Sequence, residues 1–101
     1  MQLRVKAALL RVAGEAPRIH GIRELLGLLA QLLDELGRGE VVRLVREYVR
    51  RYRGELVDAE DAYTAARYAV YTPDRGSVER MIKAAERLFE VLEEVERDVL
   101  G

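Results

Sequence analysis

The residues best suited to chemistry are arginines and tyrosines concentrated in the middle of the chain. All five tyrosines lie between Tyr48 and Tyr71, and five arginines lie between Arg43 and Arg53. A guanidinium group binds phosphate through two parallel hydrogen bonds, and an aromatic ring can stack on a base, so these types suit a nucleotide or single-stranded nucleic acid. The candidate ligand or partner surface consists of Arg43, Arg46, Arg50, Arg53, Tyr63, Arg67, Tyr68 and Tyr71.

The same residues also have a simpler interpretation. Arg43, Arg46, Arg50 and Arg53 recur at spacings of three and four, so they share one helix face, which could be a solvated face without a ligand. The tyrosines could pack in a helical core with their hydroxyl groups hydrogen-bonded. Both alternatives stay open, and the sequence reveals no reaction.

The chain lacks the residues that several kinds of catalytic site require. There is no cysteine, and therefore no thiol nucleophile, disulfide or Cys-ligated metal site. Ser77 is the single serine and has no base near it in the sequence, and no glycine-rich phosphate loop follows a strand. His20 is the single histidine, and a lone histidine is a poor metal site, so we expect it to be structural. We expect no catalytic residue, no cofactor and no metal.

The carboxylates near the end of the chain are expected to form a solvated helix end. No Glu-x-x-His pair occurs among them, so a metal site of the helical-bundle type is not indicated. These residues are Glu90, Glu93, Glu94, Glu96 and Asp98.

Length and composition predict one cytoplasmic domain. The 101 residues are enough for one core, and the net charge of −1 argues against a general polyanion-binding protein, so any nucleic-acid contact must come from a local patch. No apolar run approaches the ~20 residues that span a bilayer, and no signal-peptide pattern opens the chain. Fifteen of the 17 basic residues are Arg and there is no Asn, a composition typical of a GC-rich thermophile.

Hydrophobic periodicity predicts an all-α fold, an antiparallel up-down bundle of about five helices over residues 1–101. The first helix covers about 2–13, the second 22–36, the third 40–53, the fourth runs from about 58 to just before Pro73, and the last covers 77–99. Glycines are expected to end the first three helices, and polar residues to cap the last two. The predicted stops are Gly14, Gly37 and Gly54, and the predicted N-caps are Asp58 and Ser77.

The first helix is apolar over most of its circumference. Its polar side chains, Arg4, Arg11 and Glu15, fall on one narrow stripe. Such a helix must be buried on more than one side. It therefore lies centrally in the bundle, or a partner covers it.

The order of these features is similar to a known family. The chain has Pro17-Arg18-Ile19-His20-Gly21-Ile22-Arg23-Glu24-Leu25-Leu26, a leucine-rich helix, the Tyr48 to Tyr52 segment, Asp61-Ala62-Tyr63-Thr64-Ala65-Ala66-Arg67-Tyr68, and a final alanine-bearing helix. In this order the chain resembles the HEPN family over nearly its whole length. The resemblance implies an up-down bundle, usually dimeric, often encoded with a minimal nucleotidyltransferase as a two-component or toxin–antitoxin pair. It also implies a role directed at nucleotide or RNA.

Two departures from the family pattern matter. Many HEPN proteins carry an Arg followed four to six residues later by a His, which together form a metal-independent ribonuclease site. Here Arg18 is too near His20 and Arg11 too far from it, so the motif is absent and we lean against an enzyme. The family usually has a further helix before the one beginning at Gln2, so we expect a truncated or alternatively started chain whose uncovered groove favours self-association.

Three hypotheses follow. The first is a binding or accessory module, homodimeric, that works with a nucleotidyltransferase and contacts nucleotide or RNA through the Arg/Tyr surface. The second is a ribonuclease of the HEPN type with a degenerate site. The third is a structural homo-oligomerisation unit.

Overall fold

The computed structural model describes residues 1–15, 21–67 and 75–101, with side chains for 1–15, 21–60 and 75–101. These residues form five helices, α1 (Gln2–Ala13), α2 (Ile22–Glu35), α3 (Gly39–Arg51), α4 (Arg53–Arg67) and α5 (Arg75–Leu100). The described ranges contain no strand. The predicted all-α bundle of five helices is confirmed.

The core lies between α2 and α5. On α2 the apolar stripe Leu25, Leu26, Leu29 and Leu33 is fully buried, which at about 1.5–3 kcal/mol for each leucine is a large share of the stability of a small domain. α2 packs against α1, α3 and α4, and α5 packs against α1, α3 and α4. α2 and α5 therefore pack on the same three helices and contribute buried side chains to one core.

Glycines end α1 and α2 as predicted. Gly14 adopts a φ of 81°, and its N–H donates a hydrogen bond of 2.9 Å to the Leu10 carbonyl. Gly37 adopts a φ of 75°, and its N–H donates to the Asp34 carbonyl over 3.0 Å. A side chain is unfavourable in this left-handed conformation, so glycine is the residue that closes both helices.

The boundary between α3 and α4 differs from the prediction. α3 ends at Arg51 and α4 begins at Arg53, so Tyr52 alone separates them. Gly54 lies in the first turn of α4 and does not stop α3, and Asp58 lies inside α4 and is not its N-cap. The physical reason is Leu56, which is fully buried and is placed against the core by the early start of α4. Its N–H donates to the Tyr52 carbonyl over 2.9 Å.

The start of α5 also differs from the prediction. The helix begins at Arg75, so Ser77 lies within it and is not the N-cap. The Ser77 hydroxyl accepts a hydrogen bond of 3.1 Å from the Arg80 guanidinium, one turn further along. The predicted end of the fourth helix before Pro73 lies outside the described residues.

Helix α1 is only partly covered. Val5, Ala8 and Leu9 are buried where α1 packs on α2 and α5. Leu3 is 82% exposed and Leu10 is 53% exposed, and the two lie two turns apart on the same side of the helix. Of the two alternatives for α1, the central position does not hold, because α1 lies at the outside of the bundle with Leu3 and Leu10 uncovered.

Among the helices that the structure describes, none is long and apolar enough to cross a membrane.

Candidate functional site

Four arginines from three helices line one open cleft. Arg46 and Arg50 are one turn apart on α3, Arg53 begins α4, and Arg23 lies in the first turn of α2. Together with Val49 they line a depression of about 470 Å³, here called the arginine cleft. Because only Tyr52 separates α3 from α4, Arg53 stays beside Arg50 across the helix boundary. Three of the predicted surface residues are therefore brought together.

Three of these arginines form no ion pair with the described side chains. Among the carboxylates whose side chains are described, none forms an ion pair with Arg46, Arg50 or Arg53. All three side chains are exposed. Positive charges that are clustered in a concave surface and are not neutralised raise the local concentration of anions. The charge of the cleft is therefore of the kind that attracts a multivalent anion such as a phosphate group.

The fourth arginine is fixed by an ion pair. Arg23 Nη2 donates to Glu60 Oε2 over 2.9 Å, Arg23 Nε lies 3.2 Å from both oxygens, and the Arg23 backbone N–H donates to Oε1 over 3.1 Å. The hydrogen bonds from the Arg23 side chain hold the pKa of Glu60 below its ordinary value, although partial burial opposes this. The Glu60 carboxylate comes so close to Gly21 that a Cβ there would lie 3.0 Å from Oε1. This pair positions Arg23 at the edge of the cleft.

An apolar groove adjoins the arginine cleft. It lies between α2 and α3, encloses about 260 Å³, and is here called the α2–α3 groove. Its floor is formed by Leu26, Gly27, Ala30, Val45 and Val49. Arg23, Arg46 and Val49 line both the groove and the cleft, so the two spaces adjoin.

Carboxylates border the positive surface on two sides. Beyond Arg23, a depression of about 380 Å³ is lined by Gly21, Glu24 and Glu60. Beyond Arg46 and Arg50, a second depression of about 270 Å³ contains acidic side chains together with Arg43, the fourth arginine of the helix face predicted from the sequence. Its full lining is Asp34, Gly39, Val42, Arg43, Arg46, Glu47 and Arg50. Among the described side chains, the unneutralised charge is therefore bordered by carboxylates on these two sides.

The described tyrosines are packing residues. Tyr48 is buried, its hydroxyl donates a hydrogen bond of 2.7 Å to the Ala84 carbonyl, and burial raises its pKa well above the ordinary range. The ring of Tyr52 stacks on that of Tyr48 with centroids 4.9 Å apart, and the Arg51 guanidinium lies 5.7 Å from the Tyr52 ring centre. Tyr48 and Tyr52 therefore pack in the helical core, which is the simpler of the two interpretations of the tyrosines.

The remaining predicted site residues cannot be placed in the cleft. Tyr63 and Arg67 belong to α4, but their side chains lie outside the described part of the chain. Tyr68, Tyr71 and His20 lie outside the described residues. Their roles stay predictions.

Two lining residues have no role in the sequence prediction. Neither Arg23 nor Gly27 is among the candidate surface residues that the sequence predicts. The sequence signal that marks them is the recurrence of Arg23, Gly27 and Ala30 at spacings of four and three. The small residues Gly27 and Ala30 leave room for another group to approach one narrow side of α2 closely. The Arg23 guanidinium lies on the same side, near the N-terminal end of the helix.

The acidic end of α5 is not uniformly solvated. Glu96 accepts hydrogen bonds from Arg4 Nη1 at 2.7 Å and from Arg11 Nη1 at 2.9 Å, and its side chain is only 13% exposed. Burial raises the pKa of Glu96, but the bonds and charges of Arg4 and Arg11 outweigh it and hold the pKa below its ordinary value. The expectation of a solvated carboxylate is wrong for Glu96, because α1 packs across α5 at this point.

Metal binding has no support in the described residues, where no group of three or more His, Cys, Asp or Glu side chains could hold an ion.

Comparison with known proteins identifies one family. A family model described as HEPN domain matches residues 1–95, a span that contains every residue of the arginine cleft and of the α2–α3 groove. No curated protein and no solved structure matches the chain significantly.

Proposed function

The chain belongs to the HEPN domain family, and from this premise we propose that it is an accessory module that binds a phosphate-bearing ligand, nucleotide or RNA, through the arginine cleft. The observation that supports this proposal is the convergence of Arg46, Arg50 and Arg53, without an acidic partner among the described residues, on a cleft that also contains Arg23. A solvated face that served solubility alone would not need guanidinium groups from three helices around one depression.

The strength of such binding can be bounded. A hydrogen bond to a charged group contributes about 1.5–3 kcal/mol when shielded from water and less when exposed. Because these arginines are exposed, three of them support an affinity in the micromolar to millimolar range rather than tighter binding. An affinity in this range suits a ligand that is abundant or is delivered by a partner.

Binding is better supported than catalysis. Cleavage of RNA without a metal needs a base that can accept the proton of the attacking hydroxyl. Glu60 is the carboxylate held nearest to Arg23, but its lowered pKa and its bonds to Arg23 make it a weak base. The spacing of Arg11 and Arg18 from His20 does not match the ribonuclease motif of the family. The degenerate ribonuclease is therefore the second candidate.

Association with a partner has a separate support. Val78, Ile82 and Phe89 form an exposed apolar stripe along α5, and Leu3 and Leu10 form another on α1. Exposed apolar stripes of this kind mark protein interfaces. We propose a homodimer formed through these surfaces, and a nucleotidyltransferase as the further partner that the family implies.

A salt titration tests the proposal. The protein is titrated with ATP and with a labelled single-stranded oligouridylate at several salt concentrations, and RNA length is followed in parallel. We expect log affinity to fall steeply with log salt for at least one ligand, with the RNA left intact. No binding of either ligand at low salt would overturn the proposal, and RNA degradation would favour the ribonuclease.

A further inference from the structure

Helix α1 is attached to the bundle by few apolar contacts and by one group of charged side chains, Glu96 with Arg4 and Arg11, here called the Glu96 clamp. We propose that α1 is a releasable strap, which the Glu96 clamp holds across the space between α2 and α5 and which opens while the other four helices stay folded. The strap is separate from the arginine cleft, so it does not depend on what the cleft binds.

The position of α1 makes it a cover. In the part of the chain that the structure describes, no Cα atom of α2 lies within 8 Å of one of α5, whereas α1 packs on both helices. Within the same residues α1 does not pack on α3 or α4. On its side of the bundle α1 is therefore the helix that bridges α2 and α5, and its release would open the space between them.

The other four helices form a connected set without α1. α2 and α5 each pack on α3 and α4, and α3 packs on α4. The buried residues of these helices include Leu56 of α4 and Tyr48 of α3, whose hydroxyl is bonded to the Ala84 carbonyl of α5. Removal of α1 leaves these contacts intact, so its release does not require the whole bundle to unfold.

The apolar attachment of α1 is thin. Its buried side chains are Val5, Ala8 and Leu9, half the number that α2 contributes to the core. Leu3 and Leu10 point to solvent and lose little exposure when α1 is docked. Because few apolar side chains leave water at this contact, opening of α1 costs less free energy than unfolding of the bundle.

The Glu96 clamp joins two turns of α1 to one residue of α5. Arg4 and Arg11 are seven residues apart, and their guanidinium groups donate to the two Glu96 oxygens at 2.7 Å and 2.9 Å. The Glu96 side chain is largely shielded from water, which strengthens these bonds relative to a surface pair. When α1 is released, all three charged groups become hydrated, so the open form contains no stranded buried charge from the clamp. The two points of attachment make α1 open as a unit.

Thiol labelling measures the release directly. The chain has no cysteine, so one introduced thiol reports the opening of its own position. Ala8→Cys on α1 and Ala84→Cys on α5 are a matched pair, because both alanines are fully buried. With an excess of thiol reagent in native buffer, we expect Ala8→Cys to react roughly tenfold or more faster than Ala84→Cys. Equal rates in two variants with the same Tm would overturn the proposal, because both sites would then open only by global unfolding.

Hydrogen exchange followed by NMR tests the clamp in the full chain without a change in the buried positions. Glu96→Gln removes the charge of the clamp, so the amides of α1 from Ala8 to Val12 should exchange about fivefold faster. Glu60→Gln is the control. It weakens the contact between α2 and α4, which stays closed when α1 opens, so it should speed exchange in the most protected α2 amides and leave the α1 amides unchanged.

Three results would contradict the strap. If Glu60→Gln accelerates the α1 amides as much as Glu96→Gln does, α1 opens only together with the bundle. If Glu96→Gln has no effect on the α1 amides, the clamp does not hold the helix. If exchange in the wild type becomes steadily slower from Val5 to Val12, the helix frays from its beginning and does not open as a unit.

Discussion

Arg23 on α2 and Glu60 on α4 form a two-sided contact. The Glu60 carboxylate accepts from the Arg23 backbone N–H at 3.1 Å and from its guanidinium at 2.9 Å. The same carboxylate therefore binds the beginning of α2 and positions the arginine that borders the cleft. This contact joins two helices that are separated along the chain by the whole of α3.

Loss of carboxylate charge should destabilise the protein in acid. Glu60 and Glu96 both have pKa values held below the ordinary value by arginine partners, so their stabilisation is present above the pKa of the unfolded chain and is lost as pH falls through the folded pKa. We expect Glu60→Gln and Glu96→Gln each to lower the free energy of unfolding at pH 7 by about 1 kcal/mol, an amount already reduced for solvent exposure.

Denaturant unfolding at pH 7 and at pH 3.5 measures this effect. The gap between wild type and each variant should narrow at the lower pH, because the stabilisation from a carboxylate with a lowered pKa is progressively lost in acid. Glu90→Gln, which removes an exposed partner of Arg87, is the control and should change little. If the difference in free energy of unfolding between wild type and variant grows in acid, the pKa of the carboxylate is raised by folding and not lowered.

Tyr48 should contribute to stability and not to binding. Its hydroxyl donates to the Ala84 carbonyl inside the core, so Tyr48→Phe removes a buried hydrogen bond and should cost about 1 kcal/mol. That corresponds to a fall in Tm of about 4–8 °C for a domain of this size. Tyr52→Phe, at a half-buried ring, is the control with a smaller effect. Lost ATP binding in Tyr48→Phe at unchanged Tm would assign this hydroxyl to the ligand.

Two glycines should respond oppositely to alanine. Gly54 lies in a helical turn with open space at its Cβ, so Gly54→Ala should raise the free energy of unfolding by about 0.5 kcal/mol. Gly37 has a φ of 75°, so Gly37→Ala should lower it by about 1 kcal/mol. Thermal melts of both variants decide the matter. If Gly54→Ala instead lowers the free energy of unfolding, Gly54 does not lie in a regular helical turn, and the helix end predicted there from the sequence would be correct.

The apolar stripe on α5 should control assembly. Ile82 is 52% exposed and Phe89 is 40% exposed, and they are seven residues apart on one side of the helix. Light scattering should show a dimer for the wild type and a monomer for Ile82→Glu/Phe89→Glu. Leu36→Glu, at an exposed leucine on another surface, should leave the dimer intact. A monomeric wild type would remove the support for a homodimer.

The sequence predicts the helices better than their junctions. Leucines at helical spacing in α2 and glycines with positive φ at positions 14 and 37 are local signals, and the structure follows them. The start of α4 depends on burial of Leu56 against other helices, and this long-range contact outweighs the local preference of Gly54 and Asp58 for a break. Local pattern alone cannot contain that information.

The candidate site likewise combines features that the local sequence predicts with features that depend on tertiary packing. The spacing of Arg46 and Arg50 places both on one side of α3 from sequence alone. Arg23 joins them only because α2 packs beside α3 and Glu60 fixes its side chain, and Gly27 matters only once a groove exists above it. Both depend on tertiary packing, which the single sequence does not display.

The central claim is that the arginine cleft binds phosphate, and charge-matched double variants test it most directly. Arg46→Ala/Arg50→Ala and Arg87→Ala/Arg97→Ala each remove two positive charges, the first pair from the cleft and the second from α5. Isothermal titration with ATP and tripolyphosphate at low salt should show about tenfold or greater loss of affinity in the first variant and little change in the second. Equal losses in both variants, or none in either, would contradict the account.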